Sequence, residues 1–194
     1  MRPIELKKAV VGVADHCGWA VLVTVASDGT LLDRRRVELL EDSLPCLPHH
    51  HECQALPLPE AIDLIHRVRA SAERHARDRL DTLAGDVTHE IVGISLRQCP
   101  PLPDTLAEKL SNYRAQNVAD TVMYRQALAD AATDRGWRVH WYEAKGVFTE
   151  AADALLLSTI DDLLQSTGAA LGPPWQRDHR VAMAAAIAAT KRQR

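Results

Sequence analysis

The sequence predicts an α/β fold: a five-stranded mixed sheet with helices on both faces. Two apolar segments and a third segment that alternates less cleanly follow one another near the start, separated by short turns, which predicts a three-strand antiparallel meander. Two later apolar segments each come after a long helical pattern, and strands reached through such crossovers run parallel to the strand they rejoin. Because these two segments are almost continuously apolar, we expect the sheet to be covered on both faces.

The strands are expected at 10–14, 19–25, 30–40, 90–96 and 137–143. Ser27-Asp28-Gly29, a combination typical of hairpin turns, separates the second strand from the third. The proline-rich run that begins at Cys99 ends the fourth strand, since proline cannot donate to a sheet.

The helices are expected at 60–84, 104–134, 145–166 and 174–191, with the second broken near 112–117. The first has an apolar stripe at helical spacing, made of Ala61, Ile65, Val68, Ala72, Ala76, Leu80 and Leu83. The segment 42–59 has no such period and contains four prolines, so it is expected to be a loop.

Composition limits the class of protein. A chain of 194 residues suits one domain spanning 1–194, and an apolar share of 46% excludes a disordered chain. The formal charge of −3 argues against a protein that is basic overall. No apolar run reaches the ~20 residues of a membrane span, so no membrane partner is expected. Four scattered cysteines favour free thiols and a cytoplasmic location.

Asp15 is the most informative residue. It ends the apolar run that begins at Val10, and a carboxylate at the tip of a buried strand loses hydration that no apolar neighbour replaces. A cation is therefore expected beside it: a metal ion, an arginine or the N-terminus of a helix.

Two sequence segments, together with this order of strands and helices, resemble a known superfamily. The segment 10–25 is an apolar strand that ends in Asp15 before a turn containing Gly18, and the segment 177–184 places Asp178 in the first turn of a helix with a small-residue face. With the order of elements, they resemble the ribonuclease H-like superfamily, and within it the Holliday-junction resolvase branch. The same hairpin, together with Gly-Pro-Pro-Trp at 172–175, also resembles bacterial proteins of unknown function.

The resemblance implies a divalent-metal site at the carboxyl ends of the parallel strands, where open α/β sheets bind ligands. If the small-residue face packs on the sheet, Asp178 can approach Asp15, and two facing carboxylates need a shared cation. Mg²⁺ or Mn²⁺ suits such oxygen ligands. Asp15 and Asp178 are therefore the expected metal ligands. With Glu143 and His179 assisting, they are also the expected catalytic residues of phosphodiester cleavage.

The fourth strand departs from the resolvase pattern because it ends at Arg97, where an active member carries a further acid. Glu143, at the end of the fifth strand, could take the place of that missing acid, but it lies one strand further from Asp15. His16 and His179 could supply a nitrogen ligand or move a proton. Alternatively, Arg97 pairs with Asp15, and the pair has a structural role only.

The loop from Cys46 to Cys53 also contains metal-ligand types, namely Cys46, His49, His51 and Cys53. Eight residues with an internal proline make a four-ligand zinc site hard to close, so a polar loop with incidental metal affinity is favoured. One of its histidines could instead reach the Asp15 cleft.

His16 and Cys17 could form a base–nucleophile pair. Adjacent residues on an extended strand face opposite sides, so this pair is disfavoured.

Two functions stay open at this point. The first is a divalent-metal-dependent nuclease that acts on nucleic-acid phosphodiesters, with nucleic acid as its partner. The second is a non-catalytic ribonuclease H-like interaction module with a degenerate site. The polar segment from Lys109 to Arg125 could grip phosphates beside the cleft, or it could be a solvated helix end.

Overall fold

The computed structural model describes residues 7–191, and its strands form one mixed sheet. The strands are β1 (Lys8–Asp15), β2 (Trp19–Ala26), β3 (Leu31–Glu38), β4 (Glu90–Arg97) and β5 (Arg138–Tyr142). They lie in the order β3-β2-β1-β4-β5, with β1 at the centre. The first three are antiparallel neighbours, whereas β4 and β5 run parallel to β1. The predicted meander and the two parallel strands are confirmed.

The helices are α1 (Leu58–Asp86), α2 (Leu106–Ser111), α3 (Tyr113–Asp134), α4 (Val147–Ala154), α5 (Asp161–Leu171) and α6 (Arg177–Thr190), with a 3-10 turn at Glu52–Ala55. The predicted break near 112–117 is present, because the Asn112 side chain accepts the Ala115 N–H and starts α3.

The single helix expected at 145–166 is wrong. It is two helices, because Leu156 adopts a left-handed φ of 59° and the N–H of Leu157 bonds the Ala152 carbonyl, which closes α4.

The two faces of the sheet are covered by different helices. On one face, α1 and α3 pack against the sheet, and every residue of the predicted α1 stripe is buried. On the other face, α4, α5 and α6 contribute a second apolar cluster. A side chain on Gly12 in β1 would overlap the Ala182 carbonyl of α6, so α6 lies directly on the central strand.

Between residues 7 and 191, the structure contains no helix that is long and apolar enough to cross a membrane. The single domain over 1–194 and the cytoplasmic location stay predictions.

Candidate functional site

The central strand β1 ends at Asp15, whose carboxylate is buried beneath the C-terminal edge of the sheet. Its side chain is 2% exposed, and that of Arg125, from α3, is 5% exposed. Arg125 Nε donates to both oxygens of Asp15 at 3.1 Å, and Nη2 donates to Oδ2 at 2.7 Å. This is a two-pronged ion pair, the strongest arrangement that a guanidinium and a carboxylate can form. The cation expected beside Asp15 is therefore an arginine.

Arg125 is held from a second side as well. Its Nη1 donates to the Gln98 carbonyl at 3.2 Å and lies 3.8 Å from the Cys99 sulfur. Burial by itself would lower the pKa of Arg125, but the hydrogen bonds and charge of Asp15 outweigh burial and raise it. The guanidinium thus stays charged and ties α3 to the ends of β1 and β4.

Arg97, the partner named in the structural alternative, is not the residue that pairs with Asp15. It ends β4 with its side chain exposed, and the ion pair belongs to Arg125. Arg125 lies 110 positions after Asp15 in the chain, on a helix whose inner row is otherwise mostly alanine and other apolar residues. The one sequence signal for it was its place in the polar segment from Lys109 to Arg125.

Asp178 lies in the first turn of α6, at the end of β1, where the resemblance placed that turn. Its Oδ2 is 3.0 Å from His16 Nε2, so its hydrogen bond is to the residue that follows Asp15. The His16 ring stacks on Trp19 with centroids 4.0 Å apart, and the Arg36 guanidinium lies 3.8 Å from the Trp19 ring centre. Trp19 is therefore covered by two side chains.

His179 and Glu143 occupy different environments. His179 is buried, and its Nδ1 accepts the Gln176 N–H at 3.3 Å, so that nitrogen serves the start of α6. Burial, and then the positive charge of Arg34, lowers the pKa of His179, while Asp178 acts in the opposite direction. Glu143 follows β5 and is exposed. Their catalytic roles, like those of Asp15 and Asp178, stay predictions.

The donor atoms at this edge do not fit a divalent ion. Both oxygens of Asp15 already accept hydrogen bonds from Arg125, and Asp178 is engaged with His16. Within residues 7–191, no group of three or more histidine, cysteine, aspartate or glutamate side chains is arranged to hold a metal ion. Mg²⁺ and Mn²⁺ prefer several oxygen ligands, and a guanidinium competes directly for them.

Tyr142, the last residue of β5, lies among the charged groups of this edge and was not singled out from the sequence. Its hydroxyl donates to the Val13 carbonyl at 2.9 Å. Burial, followed by the charge of Asp15, raises the pKa of Tyr142, while Arg125 and Arg97 act in the opposite direction. The phenol therefore stays protonated and joins β5 to β1.

A cleft opens beside the Asp15–Arg125 pair. It has a volume of about 470 Å³ and lies between the segment that follows β4 and one side of α3. Arg97 and Thr121 supply polar groups, and Pro100, Val118 and Val122 supply apolar surface. This is the position at which open α/β sheets bind ligands.

The histidine loop lies elsewhere and is not arranged as a zinc site. His49 pairs with Asp120 of α3 at 2.7 Å, and Cys53 is buried, with its sulfur donating to the Ala61 carbonyl at 3.4 Å. Burial raises the pKa of Cys53 to about 11, so its thiol is protonated.

The pair His16–Cys17 does not form a catalytic unit. His16 contacts Asp178, whereas the Cys17 sulfur lies 3.5 Å from the Thr121 hydroxyl. Burial also raises the pKa of Cys17, which makes a thiolate nucleophile unfavourable.

Comparison with solved structures gives the fold. No protein-family model matches the sequence, and no curated protein matches it. A structure of Thermus thermophilus RuvC in complex with Holliday junction substrate is similar, with a TM-score of 0.57 and 12% identity over 96% of this chain and 94% of that chain. A second Thermus thermophilus RuvC structure has a TM-score of 0.53 and 14% identity over 95% of each chain. The chain therefore has the ribonuclease H-like fold, as the resemblance implied.

Proposed function

We propose that this protein binds nucleic acid at the C-terminal edge of its sheet and does not cleave phosphodiesters through a divalent metal. The observation that carries the proposal is the buried ion pair between Asp15 and Arg125. A metal ion would have to displace the guanidinium, and leaving one member of a buried pair uncompensated costs about 3–5 kcal/mol. The carboxylate at the centre of the edge is thus neutralised by the protein itself.

Charge at the same edge favours an anionic partner. Arg97 ends β4, Lys145 follows β5 and Arg177 opens α6, and all three are exposed. None of them has an ion-pair partner among the described residues. Asp15 is neutralised by Arg125, and the three cations outnumber the two other carboxylates of this edge, Asp178 and Glu143. The remaining charge is therefore positive, which attracts phosphates.

The solved structures support nucleic acid as the class of partner. One RuvC chain of this fold was solved with Holliday junction substrate, and the likeness covers nearly all of both chains. The proposal transfers only the class of partner, since the fold by itself does not carry a function.

Fluorescence anisotropy with a labelled four-way DNA junction and a linear duplex of the same sequence tests the proposal. If Arg97, Lys145 and Arg177 each neutralise one phosphate, affinity should fall about 40-fold between 50 and 200 mM salt, since each contact contributes about 0.9 to the logarithmic slope. Replacing all three with glutamine should remove most of the binding and flatten the salt dependence.

The matched control replaces three cations that lie away from this edge and are also exposed: Lys8→Gln, Arg67→Gln and Arg77→Gln. That variant has the same net charge as the first, so a purely non-specific effect would weaken both equally. Equal loss in the two variants, or no binding at 50 mM salt, would overturn the proposed interface.

The second candidate is the divalent-metal-dependent nuclease, with Asp15 and Asp178 as metal ligands and Glu143 and His179 assisting. One observation favours it: the first turn of α6 lies at the end of β1, which is the required placement. We expect no cleavage of junction, duplex or RNA at millimolar Mg²⁺ or Mn²⁺ and no rise in melting temperature, because a ligand that binds the folded state must stabilise it. Mn²⁺-dependent cleavage that is lost in Asp15→Asn would establish the nuclease instead.

A further inference from the structure

A second cavity lies away from the edge of the sheet, in contact with α1, α2 and α3. Its volume is about 230 Å³, below the ~300–1,000 Å³ of pockets for drug-sized ligands. Its apolar surface comes mainly from α3, and polar side chains from three elements complete the lining. The size and the mixed lining suit a small polar molecule.

His49 is the buried polar residue of this cavity. Its side chain and that of Asp120 are each 2% exposed. The His49 Nδ1 lies 2.7 Å from Asp120 Oδ1, and the main-chain N–H groups of His49 and His50 donate to the same carboxylate at 3.0 and 3.1 Å. Because a carboxylate only accepts hydrogen bonds, Nδ1 carries a proton and donates it to Asp120, which leaves Nε2 as the second polar atom of the ring.

The second ring nitrogen of His49, Nε2, can form a hydrogen bond with a molecule in the cavity. Among the described residues, His49 Nε2 has no hydrogen-bond partner, although His49 lines the cavity. Holding the loop against α3 requires only Nδ1 and the main chain. In the described part of the chain, Nε2 is not one of the buried side-chain atoms that lack a partner, so solvent reaches it, and a polar group of a bound molecule can replace that solvent.

The charged side chains around the cavity balance one another. Arg69 and Lys109 are cationic, Glu73 and Asp130 are anionic, and all four line it. Asp130 accepts a hydrogen bond from Gln126 at 2.8 Å. The other three are half-buried and have no ion-pair partner between residues 7 and 191. A ligand of one sign would leave the opposite charges uncompensated, whereas a zwitterion complements both.

We infer that this cavity binds a small zwitterionic metabolite of the amino-acid class. Arg69 and Lys109 face its carboxylate, Glu73 faces its ammonium group, and His49 Nε2 forms a hydrogen bond with it. The site is separate from the nucleic-acid interface, since its lining contains none of the three cations Arg97, Lys145 and Arg177.

Thermal unfolding with each of the twenty common amino acids at 10 mM tests the inference, with inorganic phosphate and glucose as comparison probes. At least one amino acid should raise the melting temperature by about 3–6 °C, the shift expected in a chain of this size when the ligand is present at ten times its dissociation constant. Phosphate and glucose should not.

Variants assign that shift to the cavity. Arg69→Gln and Glu73→Gln should each weaken the apparent affinity at least tenfold, because both side chains are half-buried without ion pairs and their loss leaves the fold intact. Arg77→Gln, on the exposed side of α1, should keep the full shift. In the wild-type protein, nitrogen NMR should show the His49 Nε2 signal move on addition of the amino acid, which avoids any substitution of a buried residue.

Three results would overturn the inference. The first is that no amino acid raises the melting temperature. The second is a rise with phosphate or glucose alone. The third is a rise with an amino acid that survives in both Arg69→Gln and Glu73→Gln.

Discussion

Two buried carboxylates, Asp15 and Asp120, are satisfied in different ways. Asp15 is matched by a guanidinium that fills both of its oxygens and is itself tied to the Gln98 carbonyl. Asp120 is matched by two main-chain N–H groups and by one edge of His49, whose other nitrogen has no partner among the described residues. The first arrangement is closed to further ligands, while the second leaves one ring nitrogen of His49 at a cavity. The carboxylate that is most conspicuous in the sequence therefore belongs to a closed pair, and the polar atom that stays accessible is on the histidine beside the other one.

The largest expected effect comes from Arg125→Met, which leaves the Asp15 carboxylate buried and unpaired. We expect a loss of about 3–5 kcal/mol in the free energy of unfolding, measured by urea denaturation. Arg74→Met is the matched control, because the pair of Arg74 with Glu41 is exposed and such pairs contribute about 0–1 kcal/mol.

Arg125→Met also tests whether Arg125 keeps a metal ion away from Asp15. Without the guanidinium, Asp15 is free to take a metal ion, so Mn²⁺ should raise the melting temperature of Arg125→Met but not that of the wild-type protein. A loss of stability no larger than that of Arg74→Met would contradict the idea that the pair closes the site.

A smaller effect is expected from Asp120→Ala. Three donors, two of the main chain and one of His49, lose their acceptor, which should lower the free energy of unfolding by about 2–3 kcal/mol. Amide exchange should accelerate in the loop that contains His49 and His50 while α3 stays protected. Unchanged exchange in the loop would show that Asp120 does not hold it.

The smallest effect concerns His179, in the first turn of α6. The pKa of His179 is lowered by burial and by Arg34, so the folded protein prefers its neutral form. Its contribution to stability is therefore fully present above the unfolded pKa of about 6.5 and is lost as pH falls through the lower folded value. The urea midpoint should fall less between pH 7.5 and pH 5 in His179→Gln than in the wild-type protein, and an identical fall in both would refute this assignment.

Much of the fold followed from apolar periodicity. The five strands, the order of their connections and the buried stripe of α1 are local patterns, and burial enforces them directly. The division of 145–166 into α4 and α5 did not follow. It depends on a left-handed backbone at Leu156, a conformation that leucine rarely adopts. The neighbouring residues in the sequence do not predict it.

The residues of the site also fall into those that the sequence identified and those that it did not. Asp15 and Asp178 were identified because each stands at the end of a recognisable element. Arg125 and Asp120 were not, because a charged residue on a helix is usually solvated, and only packing of α3 against the sheet and the loop turns these two inward. Tyr142 was missed for a related reason, since either face of an edge strand such as β5 can be the buried one.

By itself, the sequence determined that Asp15 ends the central strand and needs a cation, because an uncompensated charge cannot be buried there. Which cation it has was decided by the tertiary structure alone, since it required a helix 110 positions away to deliver Arg125 to the same edge. Local sequence patterns determine which strand carries the buried charge. The opposite charge that compensates it depends on which elements tertiary packing brings together.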